Sequence, residues 1–404
     1  MRVCRRWYDV ASRHFFAIIP VAHRHCNRFL KFVRIHPELA SYITELRFFD
    51  KSRGDSGKLL GMQQGPFDIQ LLASALPILP NLRIICLVGY GGLVSDQSAP
   101  SGLQKRNQST PVSLLRLSFE HCIGVMSMFP KLLPLFAVNT FVINSMHLAT
   151  FHHVPTPVVP FEVRNLVIGQ GARYSEDQYA AFERILVPGG LRGLGTDGWA
   201  KQDIPILERF LRSSTGRDLL SISIGAVLGE NLPPPHSAVP VINGPTVCDM
   251  LGAALAHCPR LQCFRLGFVH HDYDPSDPLI QPDPFSPIVA NLPATLHIWL
   301  DTPGLWCCTS TSIGLETVDR TLAPASPSTS GHAGSRFPNL QMVELHVHQN
   351  LVWPRMRNRT CAHPHEEREP MPLLRLHAAG LLRYRVGEVE LDQPHADIYW
   401  PLDM

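Results

Sequence analysis

Leu79-Pro80-Asn81-Leu82-Arg83-Ile84-Ile85-Cys86-Leu87 and Phe337-Pro338-Asn339-Leu340-Gln341-Met342-Val343-Glu344-Leu345 repeat one pattern at two distant places in the chain. Each opens on a proline through which a helix cannot continue. Each then sets apolar residues three and five positions beyond its leucine, the alternation that leads into a β-strand. Working outward, the same spacing recurs at Ile43/Leu46/Phe48, Leu114/Leu117/Phe119, Val138/Phe141/Ile143, Val163/Leu166/Ile168, Leu219/Ile222/Ile224, Leu261/Phe264/Leu266 and Leu381/Tyr384/Val386. Weaker copies at Leu191/Leu194 and Leu296/Ile298/Leu300 fill the two widest gaps. One such triplet arises by chance in any apolar chain; the succession carries the argument.

Between the triplets the apolar period changes to that of a helix. Leu71, Leu72, Ala75 and Leu76 share one helical face, as do Phe182, Ile185 and Leu186, and Val247, Met250, Leu251, Ala254 and Leu255. Proline-led junctions close the first and last of these at Pro80 and Pro259. A strand, a covering helix and a return to the next strand make a repeat that buries its apolar face only against its neighbours. The copies lie about 24 to 44 residues apart, partly within the roughly 20 to 29 of leucine-rich repeats and partly beyond it. The expected fold is therefore α/β, an irregular leucine-rich-repeat-like solenoid with one mostly parallel sheet. Polar or proline-rich stretches at 50–66, 90–113, 228–245, 301–336 and 349–372 read as inserts, with Thr321 to Ser335 too poor in apolar residues to order itself.

Composition narrows the function classes. Charged residues are 17% of the 404, prolines number 36, and the formal net charge is +2. That excludes a charged coiled coil and gives no global basic field for nucleic acid or anionic lipid. Ten cysteines, several inside apolar runs, fit buried thiols in a reducing compartment better than a disulfide scaffold. No apolar run approaches the length of a transmembrane span. Arg2, Arg5, Arg6 and Arg13 precede the apolar run Phe15 to Ala22, but Asp9, Trp7 and Tyr8 do not suit a cleaved targeting peptide. The expected location is cytoplasmic or nuclear.

The N-terminal stretch Val3-Cys4-Arg5-Arg6-Trp7-Tyr8-Asp9-Val10-Ala11-Ser12 reads as a helix with Val3, Trp7, Val10 and Ala11 on one side. It resembles the last helix of an F-box. Residues Phe32 to Ile43, leading into Thr44-Glu45-Leu46-Arg47-Phe48, look like the linker into a first repeat. With the junctions at Pro80, Pro259 and Pro338, the chain is similar to fungal F-box proteins with degenerate leucine-rich repeats. The resemblance implies a partial F-box over residues 1–28 and a repeat array over 29–404. It implies a substrate-recognition subunit of an SCF-type cullin-RING ubiquitin ligase, with the adaptor contacted through Val3, Cys4, Arg5, Arg6 and Trp7. A complete F-box has several helices and residues 3–16 match only the final one, so adaptor binding is expected to be weak. The alternative is a stand-alone repeat scaffold without ligase coupling.

Catalytic patterns find little support. His346 and His348 alternate on an expected strand and could chelate a metal, but the register of Val343, Leu345 and Val347 assigns them to the opposite, solvated face. Cys258 and Cys263 lack a second pair for zinc. Gly169-Gln170-Gly171-Ala172-Arg173 lacks the third glycine and the Gly-Lys-Ser/Thr of a phosphate loop, and reads as a strand-to-helix turn capped by Ser175. Arg355, Arg357 and Arg359 are offset by Glu366, Glu367 and Glu369. The expectation is a non-enzymatic protein-interaction module with no cofactor, no metal, no nucleic acid and no membrane partner; its target protein is not encoded in any motif.

Overall fold

In this computed structural model the described residues are 5–49, 67–68, 72, 75–90, 93–94, 111–122, 135–144, 160–169, 176–196, 199, 201–228, 247–270, 286–293, 295–303, 318–323, 337–348 and 373–387. The inserts expected at 50–66, 90–113, 228–245, 301–336 and 349–372 fall largely outside them, as do Gln170 to Ser175. The chain forms two compact units, Met1–Leu191 and Arg192–Met404.

In the first unit, helices α1 (Arg5–Ala17) and α2 (Cys26–Ile35) flank β1 (Ile18–Ala22). Then come β2 (Glu45–Phe49), β3 (Ile84–Val88), β4 (Val112–Glu120), β5 (Phe136–Asn144), β6 (Val163–Ile168) and α3 (Glu176–Ile185). Each strand pairs in parallel with the next. The triplets occupy two continuous rows: Leu46, Ile85, Leu117, Phe141, Leu166 and Phe48, Leu87, Phe119, Ile143, Ile168. All ten side chains are buried. Each is worth roughly 1.5–3 kcal/mol of transfer free energy, which is why the register repeats. Phe141 also meets Phe119 and Phe161 edge to face, with ring centroids at 5.7 and 6.1 Å, the arrangement aromatic quadrupoles prefer. Strand β1 was not legible as a strand because Pro20 sits at its centre. Pro is tolerated there because β1, with β2 as its one neighbour, is an edge strand.

The second unit repeats the plan with β7 (Gly193–Thr196), β8 (Ser221–Leu228), β9 (Cys263–His270), β10 (His297–Pro303), β11 (Met342–His348) and β12 (Leu382–Gly387). These also pair in parallel with their successors. Its rows are Leu194, Ile222, Phe264, Ile298, Val343, Leu382 and Thr196, Ile224, Leu266, Leu300, Leu345, Tyr384. Thr196 is a polar member of a buried row, and its hydroxyl accepts a 2.7 Å bond from the indole N–H of buried Trp199. The last strand departs from the sequence spacing: Leu382 and Tyr384, not Tyr384 and Val386, stand opposite Val343 and Leu345. The offset is two residues, so the same face stays inward.

The first residue of a triplet closes the turn that delivers the strand. Leu82 donates its N–H to Leu79, Leu261 to Cys258 and Leu340 to Phe337, at 3.1–3.2 Å, each across the proline at the second turn position, where its fixed φ suits the turn. Ile43 and Leu219 close equivalent turns onto Ala40 and Gly216. One residue later, a carbonyl accepts two successive N–H groups leading into the following strand: Thr44 from Arg83 and Ile84, Arg83 from Leu115 and Arg116, Leu220 from Gln262 and Cys263, and Gln262 from Leu296 and His297.

Helices cover the core rows. In the second unit, α4 (Ile204–Arg212) buries Ile204, Leu207, Phe210 and Leu211, and α5 (Val247–Leu255) buries Leu251, Ala254 and Leu255. Helix α5 packs on α4 and on the short α6 (Ser286–Val289). Gly252 permits the α5–α6 approach: a Cβ there would stand 2.5 Å from the Pro287 carbonyl oxygen. The insert read at 301–336 contains a helical turn at 318–322 that buries Val318 and Leu322, and its last two residues enter the stretch from Thr321 expected not to order itself. Buried Asp319 accepts 2.9 Å bonds from the N–H groups of Arg375 and Leu376, capping the first turn of α7 (Leu374–Ala378) as a helix dipole favours.

Candidate interaction surface

Because successive strand residues point to opposite faces, the residues between the core rows build a second surface in each unit. In the first unit they form the rows Glu45, Ile84, Arg116, Thr140, Asn165 and Arg47, Cys86, Ser118, Val142, Val167. Glu45 is buried, and its carboxylate accepts from the Arg47 guanidinium at 2.5 Å. Asn165 donates to the Thr140 hydroxyl at 3.4 Å. In the second unit the central row is Gly195, Ser223, Arg265, Trp299, Glu344, Arg383. His297 stacks on Trp299 with centroids 5.8 Å apart, and Arg383 lies 3.9 Å from Glu344.

This face is less solvated than its sequence suggests. Glu344 is only 4% exposed, and Cys86, Ser118, Val142, Val167 and Ser223 are buried. Parallel neighbours about 4.8 Å apart shield one another, so alternation alone does not assign a position to water. Two buried polar atoms here, Ser223 Oγ and His297 Nδ1, make no hydrogen bond among the described residues. Leaving such a group unbonded costs about 1–3 kcal/mol, a cost that a bound polar partner removes. His346 and His348 occupy β11 opposite Asp301 and Pro303 of β10; their side chains lie outside the described residues. Among the described residues no group of His, Cys, Asp and Glu is placed to hold a metal ion.

The thiols are built into the core. Cys26, Cys86, Cys122, Cys248 and Cys258 are buried, and Cys263 is half-buried. Burial holds the Cys122 thiol up at about 11 and Cys258 at about 12, and raises Cys86 and Cys263. A nucleophilic cysteine needs the reverse shift. Cys122 and Cys258 instead act as weak donors across repeats, to the carbonyls of Leu87 at 3.3 Å and Gly216 at 3.9 Å.

Of the adaptor-contact residues expected from sequence, Val3 and Cys4 lie outside the described residues, and Arg5, Arg6 and Trp7 begin α1. The apolar side assigned to this helix is not wholly inward, since Val10 is 42% exposed while Ser12 is buried. Phe16 of α1 stacks on Phe32 of α2 at 6.5 Å. Sequence reasoning missed the Arg265–Trp299–Glu344–Arg383 row; its signal is the alternate residue of each triplet, read across strands. No protein-family model matches the chain and no curated protein matches it. No helix among the described residues is long and apolar enough to cross a membrane.

Proposed function

We propose that the chain is a non-catalytic recognition module, an irregular leucine-rich-repeat-like solenoid that presents the reverse face of its parallel sheet to a target protein. The supporting observation is the division of labour within each strand. Core rows carry apolar residues on strand after strand, with Thr196 of β7 a polar exception, whereas the reverse rows change in charge, size and aromaticity from one strand to the next. A constant scaffold with a varied face is how repeat proteins recognise partners. Within the row Arg265, Trp299, Glu344, Arg383, the tryptophan and the two arginines are residue types enriched where interfaces bind most tightly. By its N-terminal resemblance, the module serves as the substrate-recognition subunit of an SCF-type ubiquitin ligase, with α1 and the residues before it meeting the adaptor.

The test uses purified full chain, purified adaptor subunit, and affinity capture from the source cells. Trp7→Ala is expected to remove the weak adaptor binding, and a Trp299→Ala/Arg383→Ala variant to lose a specific captured protein while keeping the adaptor. Target capture without adaptor binding would establish the stand-alone scaffold. Capture indifferent to the Trp299 and Arg383 substitutions would refute the recognition face.

A further inference from the structure

Six large hydrophobic side chains are exposed among the described residues, and five of them lie within residues 10–35: Val10, Phe15, Ile18, Phe32 and Ile35. Phe15 is 79% and Ile35 61% exposed. They belong to α1, β1 and α2, drawn together by the Phe16–Phe32 stack. Arg13, Arg28, Lys31 and Arg34 are exposed on the same two helices and form no ion pair with the described residues. Such a concentration of apolar tips marks a surface that binds something.

Charge says what kind of partner fits. Residues 1–36 hold eight Lys and Arg against one Asp, while the remainder holds 28 against 33, so a chain of net charge +2 is strongly polarised. Residues 388–404 follow directly on β12, an outer strand of the sheet as β1 is. They contain Glu388, Glu390, Asp392, Asp397 and Asp403, no Lys or Arg, and the apolar run Ile398-Tyr399-Trp400. Acidic residues alternating with apolar ones are the complement of a basic edge studded with Phe and Ile.

We propose that residues 388–404 of one copy dock on the α1–β1–α2 edge of a second copy. The contact is heterologous, so a dimer keeps one free edge and one free acidic segment, and association continues head to tail. A segment of this length buries less than the roughly 1,200–2,000 Å² of a standard stable interface, so the contact is weak and reversible, with a Kd on the order of micromolar or above. The proposal does not rest on ligase coupling, and its readout involves neither adaptor nor ubiquitin.

Sedimentation velocity of the full chain tests it. The sedimentation coefficient is expected to rise with concentration, and the rise to shrink at high salt because the attraction between exposed charges is screened. A tail variant, Glu388→Gln/Glu390→Gln/Asp392→Asn, and an edge variant, Arg28→Gln/Lys31→Gln/Arg34→Gln, each remain monomeric, with circular dichroism confirming the fold. Mixed in equal amounts they form dimers and stop there, because only one intact edge and one intact tail remain per pair. A wild-type chain that stays monomeric throughout, or self-association that survives in either variant, overturns the proposal; a monomer whose own tail is protected from protease would place the tail on its own chain instead.

Discussion

On β10, Ile298 and Leu300 lie fully buried beside Phe264 and Leu266 of β9 and Val343 and Leu345 of β11, while Trp299 between them shares a row with Arg265 and Glu344. The inward positions could be exchanged among themselves with modest repacking. The outward positions could not, because a carboxylate, an indole and a guanidinium have no common substitute. Free energy explains the contrast. Inward residues all answer to one requirement, removal of apolar surface from water, and converge. Outward residues answer to hydrogen bonds and charges that differ at each site, and diverge. The fold is thus carried by what repeats, and the proposed recognition would draw on what does not.

The sharpest way to break this comparison is to truncate neighbours of opposite kind on one strand. Leu266→Ala should cost about 2–5 kcal/mol, as a packed core leucine loses transfer energy and leaves a cavity. Arg265→Ala should cost less than about 1 kcal/mol, within the range of ordinary surface changes. Denaturant titrations of both variants decide the matter, and equal losses would mean that the two faces are not distinct.

Gly252→Ala probes how closely the covering helices approach. Its added methyl meets the Pro287 carbonyl oxygen and the Asn291 side chain, and overpacking of this kind costs about 1–3 kcal/mol. An unchanged thermal midpoint would show that α5 and α6 have room to separate.

Alkaline pH sharpens the contrast through the thiols. Cys122 and Cys258 titrate near 9.0 when unfolded and at about 11 and 12 when folded. Because the folded values are raised, their contribution is fully present below pH 9 and is lost as pH climbs toward those folded values. The loss is on the order of 1 kcal/mol per thiol for each pH unit crossed. Urea midpoints measured from pH 8 to 11 should fall, and less so in a Cys122→Ser/Cys258→Ser variant compared with its own value at pH 8. At pH 8 both native thiols should resist a thiol reagent until the chain unfolds.

The smallest effect belongs to the exposed ion pairs. Arg260 and Asp218 meet at 3.3 Å across neighbouring repeats, both substantially exposed. Arg260→Ala should change stability by less than about 1 kcal/mol; a larger loss would give surface charge a share in holding the repeats together.

Much of the core was legible in advance. The triplets through Leu46, Ile85, Leu117, Phe141, Leu166, Ile222, Phe264 and Val343 are buried where the apolar spacing put them, because periodicity and burial have the same cause. The exceptions are physical. Pro20 disguised β1, and the two-residue shift at Leu382 kept the inward face while changing partners, which a period of two cannot detect. The helix around Asp319 escaped notice because its order depends on capping α7, some 56 residues away in sequence. The reverse face was least legible. Burial of Glu344 depends on the strands beside it, and nothing in its own sequence neighbourhood announces that.

Disulfide formation between engineered cysteines tests the central claim, that one strand register sets both faces. Arg265 and Trp299 are direct partners across β9 and β10, and a parallel pair at that spacing lies within the about 4.4–6.8 Å Cα separation that a disulfide tolerates. The account predicts rapid oxidation of R265C/W299C to a cross-linked chain and little in R265C/D301C, where the partner is two residues out of register. Equal cross-linking of both variants, or preference for the shifted pair, would contradict it.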